Sequence, residues 1–452
     1  MVLRILQSEV DCLNVSNSMT PRLAFLSLIN GRFSRGLFWN IVSTFCTQGS
    51  TFLTSIALAR LLGVDIYGEF GMILSTLLTV TGIAQVSTGF TVTKYIAEFR
   101  DIDKARAGRI LGLCSLLTLI MGILATILLL LCLPWVSERI MEAPRLESSL
   151  ALATPFVLFS VMNAYQIGGL AGLESYRSIS IFSAVLGALN LMLCSAGAFY
   201  GGLNGALLGI VVVSILRWAT YALILRREAK KHQIFLQRTQ LARESGVIFK
   251  FALPAALSGL SSMPAIWMSN AFLVQQDHGY SEMGIYVATN NLKMLFLLLP
   301  SLLNGVATSI LNNHKGHGNE KSFNRTFFFT MRITLATSLL GAICFFLGGE
   351  FLIKRIFGEA YFYDGTKILI LIMAIQVIIE ATGIAVYQII QAQEKMWKSL
   401  FYIAIPRDAM MVVLAYLLIP IYGAIGLATS ILLGICFALV MKIGIVYLLK
   451  FK

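Results

Sequence analysis

One lysine in the middle of an apolar run offers more chemistry than any other residue of this 452-residue chain. Lys293 lies about nine residues from one end of the run 284–311, roughly 13 Å along a helix rising 1.5 Å per residue. An unpaired ammonium at such depth in a membrane costs a few kcal/mol, so it should meet water or an anion. The structural alternative is a carbonyl, or a carboxylate from another helix, that neutralises it. Glu380 in the run 366–389 and the adjacent Arg407 and Asp408 in the run 400–419 share a second depth, about 10 Å from the opposite end. Beside Pro406 they form a local ion-pair network, or carry a coupling proton. Arg217, Arg332 and Lys442 lie within about two turns of the ends of their runs and can snorkel. No catalytic or metal constellation accompanies these charges. His232, His278, His314 and His317 fall between the runs without clustering, and the seven cysteines show no CxxC spacing.

These charges sit in an unusual background. Hydrophobic residues make up 57% of the chain and charged residues 13%, and the mean hydropathy is +0.80, which excludes a large soluble domain. Runs of helix length between charged or Gly/Pro breaks predict twelve membrane spans. The first six cover 37–60, 68–92, 110–133, 149–171, 179–199 and 203–225. The second six cover 250–274, 284–311, 326–347, 366–389, 400–419 and 424–447. The fold expected is all-α, a polytopic bundle in two six-helix lobes around a central cavity. Its parts are an N-terminal tail and amphipathic lead-in (1–36), an N-lobe (37–225), a basic linker (226–247) and a C-lobe (248–452). No cleaved signal peptide is expected in the first thirty residues.

The net charge of +13 would suggest nucleic acid in a soluble protein, but here the basic residues fall between the runs, so no nucleic-acid partner is expected. About 23 Lys and Arg lie on the side of the termini. The other side has only Arg60, Arg139, Arg145, Lys354, Arg355 and Lys367. The positive-inside rule then places both termini in the cytoplasm, with the segment 226–246 as a solvated cytoplasmic connection.

The halves repeat. Gly68 in "YGEFG" matches Gly284 in "MGIYV", an offset of about 216; Glu174 matches Glu394, about 220; Gly202 and Gly205 match Gly423 and Gly426, about 221. Two six-span units share an orientation, so their symmetry axis runs along the membrane normal.

Polar stripes at helical spacing mark which spans meet at that axis. Span one carries Asn40, Thr44, Thr47, Gln48, Thr51 and Ser55 on one face, and span two Ser75, Thr79, Gly82 and Gln85. Span seven carries Ser258, Ser261, Ser262, Ser269 and Asn270; span eight carries Asn290, Lys293, Ser301, Asn304 and Thr308. A single stripe can be close helix packing, but four on symmetry-related pairs point to a cavity lined by Thr44, Gln48, Thr51, Gln85, Asn290, Lys293 and Asn304. The interiors of these four spans hold no Asp or Glu, which favours an anionic guest.

The segments "ALARLLGVDIYGEFG" (57–71), "GLESYRSISI" and "GGLNGALLG" resemble the polysaccharide transporter family. These are the Wzx-type O-antigen and lipid-linked oligosaccharide flippases of the multidrug/oligosaccharidyl-lipid/polysaccharide exporter superfamily. The resemblance covers about 30–450. It implies a non-enzymatic flippase that moves undecaprenyl-pyrophosphate-linked oligosaccharide from the inner to the outer leaflet of a bacterial plasma (inner) membrane by alternating access. It implies no fixed cofactor beyond an H+ or Na+ gradient, and as partners the lipid-linked glycan, membrane lipids, a glycan polymerase and a chain-length regulator. Lys293 matches the cationic lumen of that family in kind, and Arg60 and Lys94 are candidates for guiding the anion at either mouth. Two other readings compete. A multidrug exporter of the same superfamily would favour carboxylates in the central spans, and a membrane-embedded glycan polymerase or glycosyltransferase would need a positioned acid or base.

Overall fold

The computed structural model describes residues 32–236, 262–316, 320–392 and 399–450, which are helical almost throughout, with no strand among them. That is the outcome lipid demands, because only a helix satisfies its own backbone groups segment by segment. Eight described segments are long and apolar enough to cross a membrane. Three of them, Ile41–Ala84, Tyr176–Lys231 and Leu400–Tyr447, run to 44, 56 and 48 residues, roughly twice the length that a 30 Å hydrocarbon core requires. Each is a pair of spans that meet where the backbone leaves helical geometry, at Gly63, Gly202 and Gly423. The eight segments therefore resolve into eleven spans. Ser262–Val274, the described part of span seven, completes the expected twelve.

The repeat is visible in backbone geometry. Gly202 adopts φ 54° and ψ −134°, and Gly423 adopts φ 55° and ψ −130°, a region essentially closed to residues with a Cβ. Spans three and nine both end in a π-helical turn, Val136–Ile140 and Ile353–Phe357, and each is followed by a 3-10 turn, Pro144–Leu146 and Glu359–Tyr361. All these features lie at one end of the bundle, called the hairpin end below.

Span two differs from the expected run 68–92. The helix stops at Ala84; Val86 and Ser87 take positive φ values of 44° and 49°, and a new helix covers Thr88–Phe99. The bend lets Gly89 and Gly168 meet with no room for a Cβ, and the Thr93 hydroxyl donates to the Gly168 carbonyl at 3.0 Å. Arg100 then donates to the Gly172 carbonyl at 3.0 Å and to the Glu174 carboxylate, pinning this helix to the far end of span four. The linker expected over 226–247 begins as helix, since span six continues to Lys231. Residues 237–247 of that linker, and 1–31 of the expected tail, lie outside the described residues.

Candidate functional site

The two lobes meet most closely at the hairpin end. A Cβ on Gly68 would overlap the Tyr280 carbonyl, and one on Gly284 would overlap the Val64 carbonyl. Val64 and Gly68 are exactly 216 residues before Tyr280 and Gly284. The repeat-related glycines therefore face each other across the axis, as equivalent residues do at a two-fold interface, and small residues allow the helices this approach.

Two latches flank the contact; their accepting carbonyls are 216 residues apart and their donors, Arg60 and Gln275, 215. Arg60 donates from Nε to the Ile356 carbonyl at 2.7 Å, and from Nη2 to the Arg355 carbonyl. Gln275 donates from Nε2 to the carbonyls of Ile140 at 2.9 Å and Arg139 at 3.3 Å. The accepting carbonyls lie in the two π-turns, where the normal helical pattern is lost and the last carbonyls are left for other donors. Tyr361 and Tyr280 add hydroxyl donations to the carbonyls of Ala59 and Met141 in the opposite lobe, at 2.7 and 2.8 Å. On the loop beside them, burial and then the Glu282 carboxylate push the Tyr363 hydroxyl above its usual range. It stays protonated and donates to Glu282 at 3.1 Å.

Deeper in the seam the polar stripes bond across the lobes. Asn291 donates from Nδ2 to the Ser55 hydroxyl at 2.7 Å and the Tyr67 hydroxyl at 3.1 Å. Asn270 donates to Ser75 at 2.9 Å, and the Trp267 indole N–H donates to Thr76 at 2.9 Å. Ser75 and Asn291 are again 216 apart, so the Asn291–Ser55 and Asn270–Ser75 bonds are equivalents within one residue. Ser55, Ser75 and Asn270 lie on the stripes expected from the sequence, and Asn291 lies outside them. Applying the repeat offset to Ser75 would have found it.

The expected cavity residues divide into three groups. Gln48 and Thr51 are exposed near the middle of span one, with the Thr51 hydroxyl donating to the Thr47 carbonyl at 2.9 Å; Thr44 and Asn290 are half-buried. An exposed amide in mid-span is costly against lipid, which places this face of span one toward the space between the lobes. Gln85 is half-buried at the break in span two, where its carbonyl accepts from Thr88. Asn304 departs from the expectation. It is buried, and its side-chain oxygen accepts from Thr334 and Gln388 at 3.3 and 3.2 Å. It joins spans eight, nine and ten inside the C-lobe because those two partners offer it the hydrogen bonds that lipid cannot.

Lys293 meets the carboxylate of another helix that its structural alternative calls for. It is 4% exposed, and its Nζ donates to Gln376 Oε1 at 3.0 Å and lies 3.4 Å from Glu380 Oε2. The carboxylate missing from spans one, two, seven and eight reaches in from span ten. Gln376 is itself fixed by donating to the Ala428 carbonyl at 2.7 Å. The ammonium thus has one rigid neutral acceptor and one anionic acceptor whose side chain is one-third exposed.

The expected network of Glu380, Arg407 and Asp408 separates accordingly. Arg407 and Asp408 pair at 2.6 Å, and both bond the Ser262 hydroxyl of span seven. Glu380 pairs with Lys293 instead. Lys442, the snorkelling candidate of span twelve, donates to the Gly383 carbonyl at 3.1 Å. Of the two expected mouth charges, Arg60 is a lobe latch whose donors are engaged by backbone. Lys94 is exposed on the helix Thr88–Phe99 with Nζ 5.5 Å from the Tyr95 ring centroid. No cluster of His, Cys, Asp or Glu suited to a metal occurs among the described residues.

Comparison with known proteins agrees with this architecture. An inward-facing multidrug resistance MATE family transporter of the MOP superfamily is 18% identical and superposes with a TM-score of 0.73, covering 88% of this chain and 92% of that one. An outward-facing conformation of a MATE transporter of the same superfamily gives 16% and 0.67 over 92% and 95%. A MOP superfamily transporter from Pyrococcus furiosus, described as having a binding pocket of reverse polarity, also gives 16% and 0.67 over 92% and 95%. At these identities the likeness establishes the fold. Sequence comparison with curated proteins returns no match. The model of the polysaccharide biosynthesis protein family matches residues 33–311, well over half of the chain, and the chain therefore belongs to that family.

Proposed function

We propose that the protein is a flippase for undecaprenyl-pyrophosphate-linked oligosaccharide, such as an O-antigen or other surface-polysaccharide repeat unit. It moves the headgroup from the inner to the outer leaflet of a bacterial plasma membrane while the lobes rock about their latched seam. No bond is broken. The observation that carries this reading is Lys293, a buried ammonium in span eight whose anionic partner is partly exposed and therefore exchangeable. An arriving pyrophosphate or sugar carboxylate competes with Glu380 for the ammonium, offering it a charge-assisted hydrogen bond of the same kind. Membership of a polysaccharide biosynthesis family supports the glycan. The driving ion is H+ or Na+, and the carboxylates of Glu380 and Asp408 are its candidate carriers. A glycan polymerase and a chain-length regulator are the partners that such a product requires. The excess of Lys and Arg at the side of the termini supports a cytoplasmic location for both.

Glu380 also favours a second reading, export of organic cations, since its exposed carboxylate could receive them. Purified protein in vesicles separates the two. Without an ion gradient, flipping of a fluorescent lipid-linked oligosaccharide down its own gradient should survive Glu380→Gln and fail in Lys293→Met. Loss of cationic-dye efflux in Glu380→Gln, with no oligosaccharide flipping by the wild type, would reverse the assignment.

A further inference from the structure

The C-lobe holds more positive charge inside than its carboxylates can pair. Apart from the exposed Arg332 and Lys367, the described residues within its spans carry three cations, Lys293, Arg407 and Lys442, and two carboxylates, Glu380 and Asp408. Asp408 is committed. It is 4% exposed, pairs with Arg407 at 2.6 Å and accepts from the Ser262 hydroxyl at 3.1 Å. One carboxylate, Glu380, is therefore left for two lysines.

Span ten offers both lysines acceptors along a single face. Gln376, Glu380, Gly383 and Tyr387 are spaced by four, three and four residues, which keeps them on one side of a helix. Lys293 donates to Gln376 Oε1 at 3.0 Å and lies 3.4 Å from Glu380 Oε2. One turn further on, Lys442 of span twelve donates to the Gly383 carbonyl at 3.1 Å, and its Nζ is 5.3 Å from the Tyr387 ring centroid. A Cβ on Gly383 would stand 3.3 Å from that Nζ, so the glycine makes the space that the ammonium occupies. Lys442 was expected to snorkel; instead it turns in against span ten and finds two neutral groups there. Glu380 and Arg407 are close enough to act on it electrostatically.

Glu380 precedes Gly383 by three residues, roughly 4.5 Å along the axis at 1.5 Å per residue, and its side chain is one-third exposed. A turn of that side chain along the helix face exchanges one ammonium for the other. Such a second partner is what displacement by an arriving anion requires, because a carboxylate left without a cation in this interior is strongly disfavoured. We propose that Glu380 is passed between the two lysines, pairing with Lys293 while the site is empty and with Lys442 while an anionic headgroup holds Lys293. Lys442 is then a positioning residue, which sets the affinity of Lys293 for the anion without touching it. The two arrangements contain the same number of ion pairs, so a modest difference in ligand affinity decides between them. The hand-off deepens the reading of Lys293 and rests on the flippase reading for the identity of the anion.

Two cycles on purified full-length protein test the hand-off, and the first needs no ligand. In Lys293→Met the carboxylate should move to Lys442, so adding Lys442→Met strands it. The variant Lys293→Met/Lys442→Met should then melt lower than the two single shifts added together, and Glu380→Gln on top should remove the excess. Shifts that simply add would show that Glu380 does not reach Lys442, and would overturn the proposal. The second cycle follows binding of undecaprenyl diphosphate in phosphatidylcholine nanodiscs. Lys442→Met should weaken it at least about tenfold, the change that a coupling of about 1.4 kcal/mol produces. In the Glu380→Gln background the same substitution should change it by less than about twofold, as for uncoupled sites. Equal weakening in both backgrounds would mean that Lys442 touches the headgroup itself, and unchanged binding in both that Glu380 needs no second partner; either overturns the proposal. A wild type that binds no undecaprenyl diphosphate, with the melting cycle as expected, would count against the flippase reading alone. Tight binding with additive melting shifts would count against the hand-off alone.

Discussion

At the scale of the residue, Lys293 and Glu380 are each costly in a membrane and tolerable together. Removing one partner of a buried pair leaves the other charge uncompensated, a loss of about 3 kcal/mol in comparable sites. Glu380→Gln should therefore lower the melting temperature of the purified protein, because it leaves the buried Lys293 ammonium without its anion, and Lys293→Met should do so by less, because the carboxylate it leaves behind is one-third exposed. The double variant Lys293→Met/Glu380→Gln should regain most of the lost stability, since no charge then remains unpaired, while staying inactive in oligosaccharide flipping. Recovery of both stability and flipping would show that the ammonium serves packing alone. The depth and importance of Lys293 could be read from its run of apolar neighbours. Its partner could not, because Glu380 lies 87 residues away and pairing between helices depends on their rotation, which one sequence does not specify. The same limit explains why Asn304, on the same polar stripe as Lys293, turns into the C-lobe and meets Gln388.

At the scale of the element, the hairpins rest on backbone shapes that glycine alone adopts readily. Gly202 and Gly423 hold nearly the same φ and ψ, and an alanine there should cost about 1–3 kcal/mol in strain. Either single substitution should reduce thermal stability in detergent, and the two should add, because the residues lie in different lobes. A shift of under a degree in both would mean that the hairpins tolerate another turn. Gly68→Ala acts differently, since its Cβ would meet the Tyr280 backbone of the opposite lobe. It should spread the hairpin end and speed thiol labelling at Ser55→Cys, with little change in helix content. Twelve spans, their order and the repeat were legible because each depends on local composition or on recurrence at a fixed interval. The break at Gln85–Ser87 was not. Val86 is a β-branched residue at positive φ, a conformation no propensity favours, and the packing of Gly89 on Gly168 imposes it. The π-turns are not legible in the sequence for a similar reason, as their carbonyls acquire partners only when the lobes meet.

At the scale of the molecule, two repeats that share an orientation create a seam with equivalent bonds on either side of one axis. Arg60 on the Arg355 and Ile356 carbonyls matches Gln275 on those of Arg139 and Ile140, and the Asn291–Ser55 bond matches Asn270–Ser75. All lie toward the hairpin end, while Gln48 and Thr51 are exposed near the middle of span one. The neutral hydrogen bonds of this seam each contribute only about 1 kcal/mol net, and those of the Arg60 guanidinium about 1.5–3, so the seam can hold one state and still open when a ligand binds the other state better. Alternating access requires that opening in each cycle. In a background free of the native cysteines, Ser55→Cys and Asn291→Cys joined by a short bifunctional thiol reagent should arrest oligosaccharide flipping in the linked fraction, and cleavage of the link by a reductant should restore it. The same reagent on either single variant should leave the rate unchanged. Undiminished flipping by fully linked protein would mean that the headgroup crosses without parting this seam, and the rocking of two lobes about their latches would have to be abandoned.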